Sequence, residues 1–458
     1  MNLFSKLLQR AADNRPIRVG LIGAGKFGSM FLAQVRSIRG MHLMGIADLS
    51  AERARKALAN TGWEPHAIVA ASLDDARSSG RTYITEDAEA LIGAGGLDVV
   101  IDATGNPAAG IRHALLAAEN GRHMVMVNVE ADVLAGAYLA EKFRNAGLVY
   151  GMAYGDQPAL VCEMVDWART CGFRVVAAGK GTKYLPHYSQ STPDTVWSHY
   201  GITPEQAELG GMNPQMFNSF IDGTKSAIEM AAISNATGLI APKEGLAFPP
   251  VGVHDLPEVL KPSVDGGILE SAGMVEVVSS EERDGRHVFN DLRWGVYVTF
   301  EAADDGQGAD YIRRCFKEYQ VVTDRTGRYA SLYRPSHLIG LELGVSVASA
   351  VLRNEATGTP VDFSSDVVAV AKKSLSSSET LDGEGGYTVW GRIMRAEDSL
   401  ALGALPIGLA HGVKLKREIP SGQVLCWDDV EIPASQAVSV RRAMEQAFRD
   451  RLGPPDNG

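Results

Sequence analysis

Gly23, Gly25 and Gly28, in the run 20-GLIGAGKFG-28, stand in GxGxxG spacing directly after a strand-like apolar run and directly before a helical pattern. The first two glycines let a backbone turn tightly and approach a pyrophosphate, which sits at the positive end of the helix that follows. Lys26 and Phe27 lie inside the same loop. Asp48 ends the next apolar run, twenty residues after Gly28, where a carboxylate accepts hydrogen bonds from an adenosine ribose and repels a 2′-phosphate. Arg53 and Arg55 follow closely and would serve such a phosphate if Asp48 turned away, so NAD and NADP both stay open. Thr104 and Gly105 of ATGNP (103–107) and Asn128 of VNVEADV (127–133) close later strands, where they would line the nicotinamide ribose. Glu130 and Asp132 would sit nearer a substrate, or serve only as first-turn charges that favour the helix dipole. Asp156 and Glu163 add carboxylates; Glu130 and Asp156 are candidate ligands for Mg²⁺ or Mn²⁺, although no spacing defines a metal site.

A second concentration of chemistry lies in 178-AGKGTKYLPHYSQSTPDTVWSHY-200. Lys180, Lys183, His187, Ser189, Ser191 and Thr192 mix point charges with short donors, as a site for a phosphate or a polyhydroxy chain does, and as a solvated loop also does. Tyr184, Pro186, Tyr188 and Trp197 would stiffen this loop and exclude water. In DGTKSAIEM, Lys225 and Glu229 are four apart and share a helix face. They form either a surface ion pair or, on a cleft wall, an oxyanion-stabilising lysine beside a proton-moving carboxylate.

The elements that must position these groups read as an α/β fold. From Ile17 short apolar runs alternate with helical periods: IRVGLI, MHLMGIAD, LDVVIDAT, HMVMVNV and LVYGMAY as strands, SMFLAQVRSI and AAGIRHALLAAEN as helices. That pattern predicts a Rossmann-type doubly wound parallel sheet over 1–155, with an N-terminal helix. RVVAAGK, GMVEVVSS and RWGVYVTFEA predict a second sheet in an α+β catalytic and dimerisation domain over 156–360, which would face the first across a cleft. One helix is expected around FIDGTKSAIEMAAISNATG and a long one over 336–354. AKKSLSSSETLD (371–382) and LKREIPSGQVLC (415–426) align without gaps and predict a small pseudo-symmetric β domain over 361–435, followed by a helix and frayed tail over 436–458.

Composition narrows the partners. A net charge of −11 speaks against nucleic acid or an anionic membrane, since each requires a basic surface. Cys162, Cys171, Cys315 and Cys426 have neither CxxC spacing nor a histidine pair nearby, and so read as reduced thiols of a cytoplasmic protein. The amphipathic start lacks the apolar core of a signal peptide, and no run approaches the ~18 apolar residues that cross a bilayer. A homodimer acting on a small phosphorylated or polyhydroxylated compound is the expectation.

GLIGAGKFG, DATGNPAAGIRHAL, MVNVEADV, YGDQPAL, GKGTKYLPHY, STPDTVW, DGTKSAIEMA and DGEGGYTVWG together resemble the 1-deoxy-D-xylulose 5-phosphate reductoisomerase-like enzymes over most of 15–430. The resemblance implies a homoserine-dehydrogenase-like architecture with a C-terminal domain similar to the SAF module. It also implies reductive isomerisation of 1-deoxy-D-xylulose 5-phosphate to 2-C-methyl-D-erythritol 4-phosphate, a step in isoprenoid precursor synthesis, with NADPH and a divalent cation. Homoserine is not an expected substrate: Val129 stands where homoserine dehydrogenases carry a lysine, and their Gly-x-Asp-x-x-x-Lys helix reads here Gly223 to Glu229 with the charges exchanged. The alternatives are a dehydrogenase of another sugar phosphate, sugar acid or homoserine-like hydroxy acid, and a non-catalytic cofactor-binding sensor.

Overall fold

The computed structural model describes residues 2–68, 70–209, 211–303 and 306–452, so the end of the expected tail, 453–458, lies outside the described residues. The chain forms two compact units, Met1–Leu160 with Leu338–Val361 and Ser439–Gly458, and Val161–His337 with Asp362–Val438.

In the first unit β1 (Ile17–Ile22), β2 (Met41–Ala47), β3 (Tyr83–Thr85), β4 (Val99–Asp102), β5 (His123–Met126) and β6 (Tyr150–Met152) form one sheet in the order β3-β2-β1-β4-β5-β6. All five pairings are parallel. Such strands are covered on both faces and therefore read as unbroken apolar runs, and Ile17, Val19 and Leu21 are fully buried. β3 escaped the sequence reading because it has only three residues, none of them fully buried. Chain order reverses between β1 and β4, where an open α/β sheet binds its ligand. The loops leaving those two strands touch there: a Cβ on Gly23 would lie 2.7 Å from the Ala103 carbonyl oxygen.

The expected 336–354 helix is helical only over Gly344–Arg353, and its Val347 and Ala348 join the core beneath β1 and β4. The first helix of the sheet begins at Lys26, three residues before the apolar period, because Gly25 is its N-cap.

The second unit is built on a mixed sheet of β7 (Phe173–Thr182), β8 (Met274–Ser279), β9 (Val296–Ala302), β10 (Val322–Thr323) and β11 (Ala330–Arg334), ordered β10-β11-β9-β7-β8. β7 lies between parallel β8 and antiparallel β9, so the strand carrying Lys180 is held on both edges. Trp167, Phe173, Phe300 and Phe316 cluster against this sheet with neighbouring ring centroids 4.9–5.9 Å apart.

The single helix expected around 220–238 is two helices, Pro214–Ile221 and Thr224–Thr237, interrupted where Gly223 adopts a φ of 92°. Thr224–Thr237 is buried from nearly every side, a pattern that fits a helix packed between layers. It contacts β7 and β8 and also β12 (Ser365–Ala371) and β14 (Val389–Arg395).

The two aligned stretches pair with each other. Leu375 and Ile419, equivalent in the alignment, exchange backbone hydrogen bonds of 2.8 and 3.0 Å. The Ala371 N–H donates to Gln423 as the equivalent Leu415 N–H donates to Glu379, both at 3.0 Å. A pseudo-two-fold axis thus passes between the copies. β13 (Thr380–Asp382), β15 (His411–Leu415) and β16 (Val430–Glu431) complete this small β module.

The four cysteines are free. Among the described residues no helix is long and apolar enough to cross a membrane.

Candidate active site

The glycine loop of the first unit is shaped by close backbone approaches. Gly23 has a φ of 96°, and a Cβ on Gly28 would lie 2.1 Å from the Gly23 carbonyl oxygen, so the helix Lys26–Val35 lies too close to the loop for any side chain there. Gly25 caps that helix without a side-chain hydrogen bond, and the space where its Cβ would point is open. First-turn N–H groups of a helix beside open space fit a pyrophosphate. Lys26 is exposed in this loop, and half-buried Phe27 packs on the core.

Asp48 is buried and works within the loop itself. One carboxylate oxygen accepts the Ala24 N–H at 2.8 Å; the other accepts the Ser50 N–H at 2.9 Å and meets the Arg53 guanidinium at 2.5 Å. The carboxylate expected to face a ribose is therefore engaged with backbone and with Arg53, whose side chain remains 55% exposed.

At the end of β4, Asp102 organises the second half of this surface. It accepts hydrogen bonds from the Thr104 hydroxyl at 2.8 Å and from Asn128, and stands 2.6 Å from His113 Nδ1. Asn128 donates to the Asn106 carbonyl at 2.8 Å and caps the helix Val129–Asn145 through the Ala131 N–H. Thr104 and exposed Gly105 therefore stand on a rigid turn, and buried Asn128 ties that turn to the next helix.

Glu130 and Asp132 part company. Glu130 is half-buried in the first turn of its helix, whereas Asp132 points into the interior, accepts the Tyr150 hydroxyl at 3.0 Å and is pushed up to about 7 by burial. Asp156 is also buried, its carboxylate accepting the Gln157 N–H at 2.9 Å. Among the described residues no group of three or more His, Cys, Asp or Glu is arranged to hold a metal ion, so nothing in them supports the cation that the resemblance implied.

The second unit brings together the lysines of the 178–200 stretch and two carboxylates. Lys180, near the end of β7, forms a buried ion pair with Glu229 of the helix Thr224–Thr237. Lys183 meets Glu281 at 2.9 Å, and the Tyr188 hydroxyl donates to the other Glu281 oxygen, also at 2.9 Å. Burial and that carboxylate push the Tyr188 phenol well above its ordinary range. The His199 ring packs 4.4 Å from Tyr188, and burial, then His187 and Lys183, lower its basicity. His187 is exposed on the turn Pro186–Gln190, and Lys225 is half-buried on the first helical turn before Glu229. Tyr184 stacks on Phe248 with centroids 3.8 Å apart.

Glu281 is the site residue that sequence reading missed. Its partner lies almost a hundred residues earlier, and only the parallel register, Thr182 beside Ser279, carries both chains to the same sheet end. His199 was passed over as well, although it ends the same polar stretch.

Residues 155–343 match the family described as oxidoreductase DRL, catalytic domain. No curated protein matches. Similar solved structures include a probable dehydrogenase from Thermotoga maritima, 13% identical with a TM-score of 0.39, covering 74% of this chain and 90% of its own. The apo scyllo-inositol dehydrogenase of Lactobacillus casei is 11% identical with a TM-score of 0.38, covering 76% and 91%. A putative myo-inositol dehydrogenase from Sinorhizobium meliloti 1021 is 11% identical with a TM-score of 0.37, covering 74% and 90%. Scores this low say nothing about substrate. The family match upholds the oxidoreductase half of the resemblance and does not extend to reductoisomerisation. With a dinucleotide-type sheet in one unit and a match to an oxidoreductase catalytic domain over 155–343, the chain is an NAD(P)-dependent oxidoreductase.

Proposed function

We propose that this protein is a dehydrogenase that interconverts an alcohol and a carbonyl group on a small, neutral, polyhydroxylated compound, with NADP(H) preferred over NAD(H). The observation that carries the reading is the pairing of two lysines of the catalytic unit with buried carboxylates, Lys180 with Glu229 and Lys183 with Glu281. A phosphate clamp needs unmatched positive charge. Here a phosphate dianion would have to pull a lysine from its partner and strand a carboxylate away from water, which is strongly unfavourable. A sugar-like chain makes no such demand, because hydroxyls exchange hydrogen bonds with paired charges without separating them.

The nicotinamide cofactor supplies or removes the hydride when bound. In the reductive direction the Lys180 ammonium donates a hydrogen bond to the substrate carbonyl and delivers a proton to the developing alkoxide, while Glu229 holds the lysine in place and keeps its charge balanced. Lys183, Tyr188 and Glu281 offer donors and acceptors for neighbouring hydroxyls. Arg53 supports the cofactor preference, because Asp48 is occupied and the exposed guanidinium has spare donors for a 2′-phosphate.

The test incubates purified protein with NADPH or NADH and a panel of neutral ketoses, oxidised inositols and aldonolactones. A parallel arm uses 1-deoxy-D-xylulose 5-phosphate with and without Mg²⁺ or Mn²⁺. Metal-independent oxidation of NADPH by a neutral panel member is expected. Turnover of the phosphorylated ketose alone, and only with metal, would replace this reading with reductive isomerisation.

A further inference from the structure

The β module, residues 365–431, holds none of the paired charges just described, yet one of its side chains touches residues that flank two of the segments around them. Lys372, at the end of β12, is 2% exposed, and its ammonium donates to three acceptors: the Ser191 carbonyl at 2.7 Å, the Asp222 carboxylate at 2.8 Å and the Gly386 carbonyl at 2.7 Å. Ser191 directly follows the turn Pro186–Gln190 that carries His187 and Tyr188. Asp222 lies two residues before the helix that carries Glu229, and its second oxygen accepts the Thr224 N–H at 2.9 Å, fixing the first turn.

Neighbouring bonds repeat the connection. Asn218 donates to the carbonyls of Ser191 and Gly385 at 2.9 and 2.8 Å, and Gln215 donates to those of Asp382 and Glu384, both at 2.9 Å. The Gly391 N–H donates to the Thr224 hydroxyl at 2.8 Å, and the Tyr387 hydroxyl to Asp194 at 2.8 Å. A Cβ on Gly385 would lie 2.1 Å from the Gln215 carbonyl oxygen, so the module's loop presses on the helix Pro214–Ile221 as closely as backbone permits.

We propose that Lys372 is a positioning residue, and that through it the β module holds the Pro186–Ser191 segment and the start of the Thr224–Thr237 helix in the arrangement that places Tyr188 on Glu281 and Glu229 on Lys180. Stability does not require a buried ammonium here, since well-packed apolar replacements of buried pairs are often as stable or more so. What an apolar contact lacks is direction: three donors on one nitrogen set the spacing of three chain segments together. The functional part of this inference rests on the dehydrogenase reading; the structural part does not.

The experiment uses the full chain carrying Lys372→Met, with hydrogen–deuterium exchange, thermal melting, NADPH binding by nicotinamide fluorescence, and steady-state kinetics on the substrate found above. Amides of 183–200 and of the first turn after Asp222 should exchange about tenfold faster, while NADPH affinity stays unchanged and kcat falls with a smaller change in KM. Unchanged exchange across 183–200 in a folded variant overturns the proposal. If Lys372→Met does not fold, Tyr387→Phe, which deletes only the outer bond to Asp194, should speed exchange over 191–195, and no change there overturns it equally. If wild-type protein turns over no panel member, the dehydrogenase reading falls while the exchange data still decide the role of Lys372.

Discussion

Arg53→Ala tests the cofactor assignment where the geometry is most explicit. The guanidinium meets Asp48 at 2.5 Å while its side chain is 55% exposed, so of its five N–H donors several remain for a phosphate. A hydrogen bond to a charged group is worth about 1.5–3 kcal/mol; with more than half of this side chain in water, the lower end, about 1.5 kcal/mol, is appropriate and corresponds to roughly tenfold in affinity. Removing Arg53 also leaves the Asp48 carboxylate unneutralised beside the incoming phosphate, which acts in the same direction. NADPH should therefore bind roughly tenfold or more weakly, whereas NADH, lacking the phosphate, should change by no more than about twofold. Titration of nicotinamide fluorescence reads both affinities without depending on the unknown substrate, and Arg53→Lys, which keeps the charge and loses the fork, should fall between. Equal weakening of NADPH and NADH would mean that Arg53 only supports the loop through Asp48, and the reasoning about a 2′-phosphate would be refuted.

Gly28→Ala should abolish dinucleotide binding and lower stability by about 1–3 kcal/mol, since its Cβ would lie 2.1 Å from a backbone oxygen that cannot move aside; normal binding by a folded variant would contradict this. Asp132 gives a pH prediction. Burial pushes its carboxyl up to about 7 from the ordinary 3.8, so the folded state holds a proton that the unfolded chain releases, and stability falls as pH rises between those values. At about 1.4 kcal/mol per pH unit over about three units, that loss is roughly 4 kcal/mol. Asp132→Asn removes the titration and should melt higher than wild type at pH 8 but not at pH 4; the same difference at both would rule the account out. Lys180→Met should lower stability by about 3–5 kcal/mol by leaving Glu229 buried alone. Lys180→Met combined with Glu229→Gln should recover the melting temperature without recovering turnover, and recovered turnover would remove Lys180 from the mechanism.

The legible parts of this chain are those whose causes are local. β1, β2 and β4 are short, apolar and covered on both faces, and Gly23 and Gly28 are demanded by backbone approaches within one loop, so period and spacing reveal them. The pseudo-two-fold of the β module was also readable, because symmetric pairing requires similar residues at equivalent positions. Pairings across long separations were not. Glu229 is four residues from Lys225, and a helical period invites that pair, but Lys180 reaches it from β7 through a sheet-on-helix packing that no local period encodes. Asp48 has the position of a ribose acceptor, yet the backbone N–H groups of Ala24 and Ser50 compete for the same oxygens, and their directions follow from φ and ψ rather than from residue type.

Three lysines of the second unit share one construction. Lys180 links β7 to the helix Thr224–Thr237, Lys183 links the following segment to the chain beyond β8, and Lys372 links the β module to both. Each takes an ammonium and a carboxylate out of water, a step whose desolvation cost offsets most of the attraction gained, so the pairs add little net stability. Three of them joining five segments cannot be repacked one at a time, because breaking any pair strands a charge. The unit therefore has a single arrangement of its polar wall, with Tyr188, Glu281, Lys180 and Glu229 held at fixed spacing. Fixed spacing is what hydride transfer requires, since a reacting carbonyl must be held within about half an ångström of its productive position relative to hydride and proton donors. Under the proposed reading the acidic chain needs no basic patch, because the hydroxyls of a neutral substrate would be oriented by charges that stay paired while it binds.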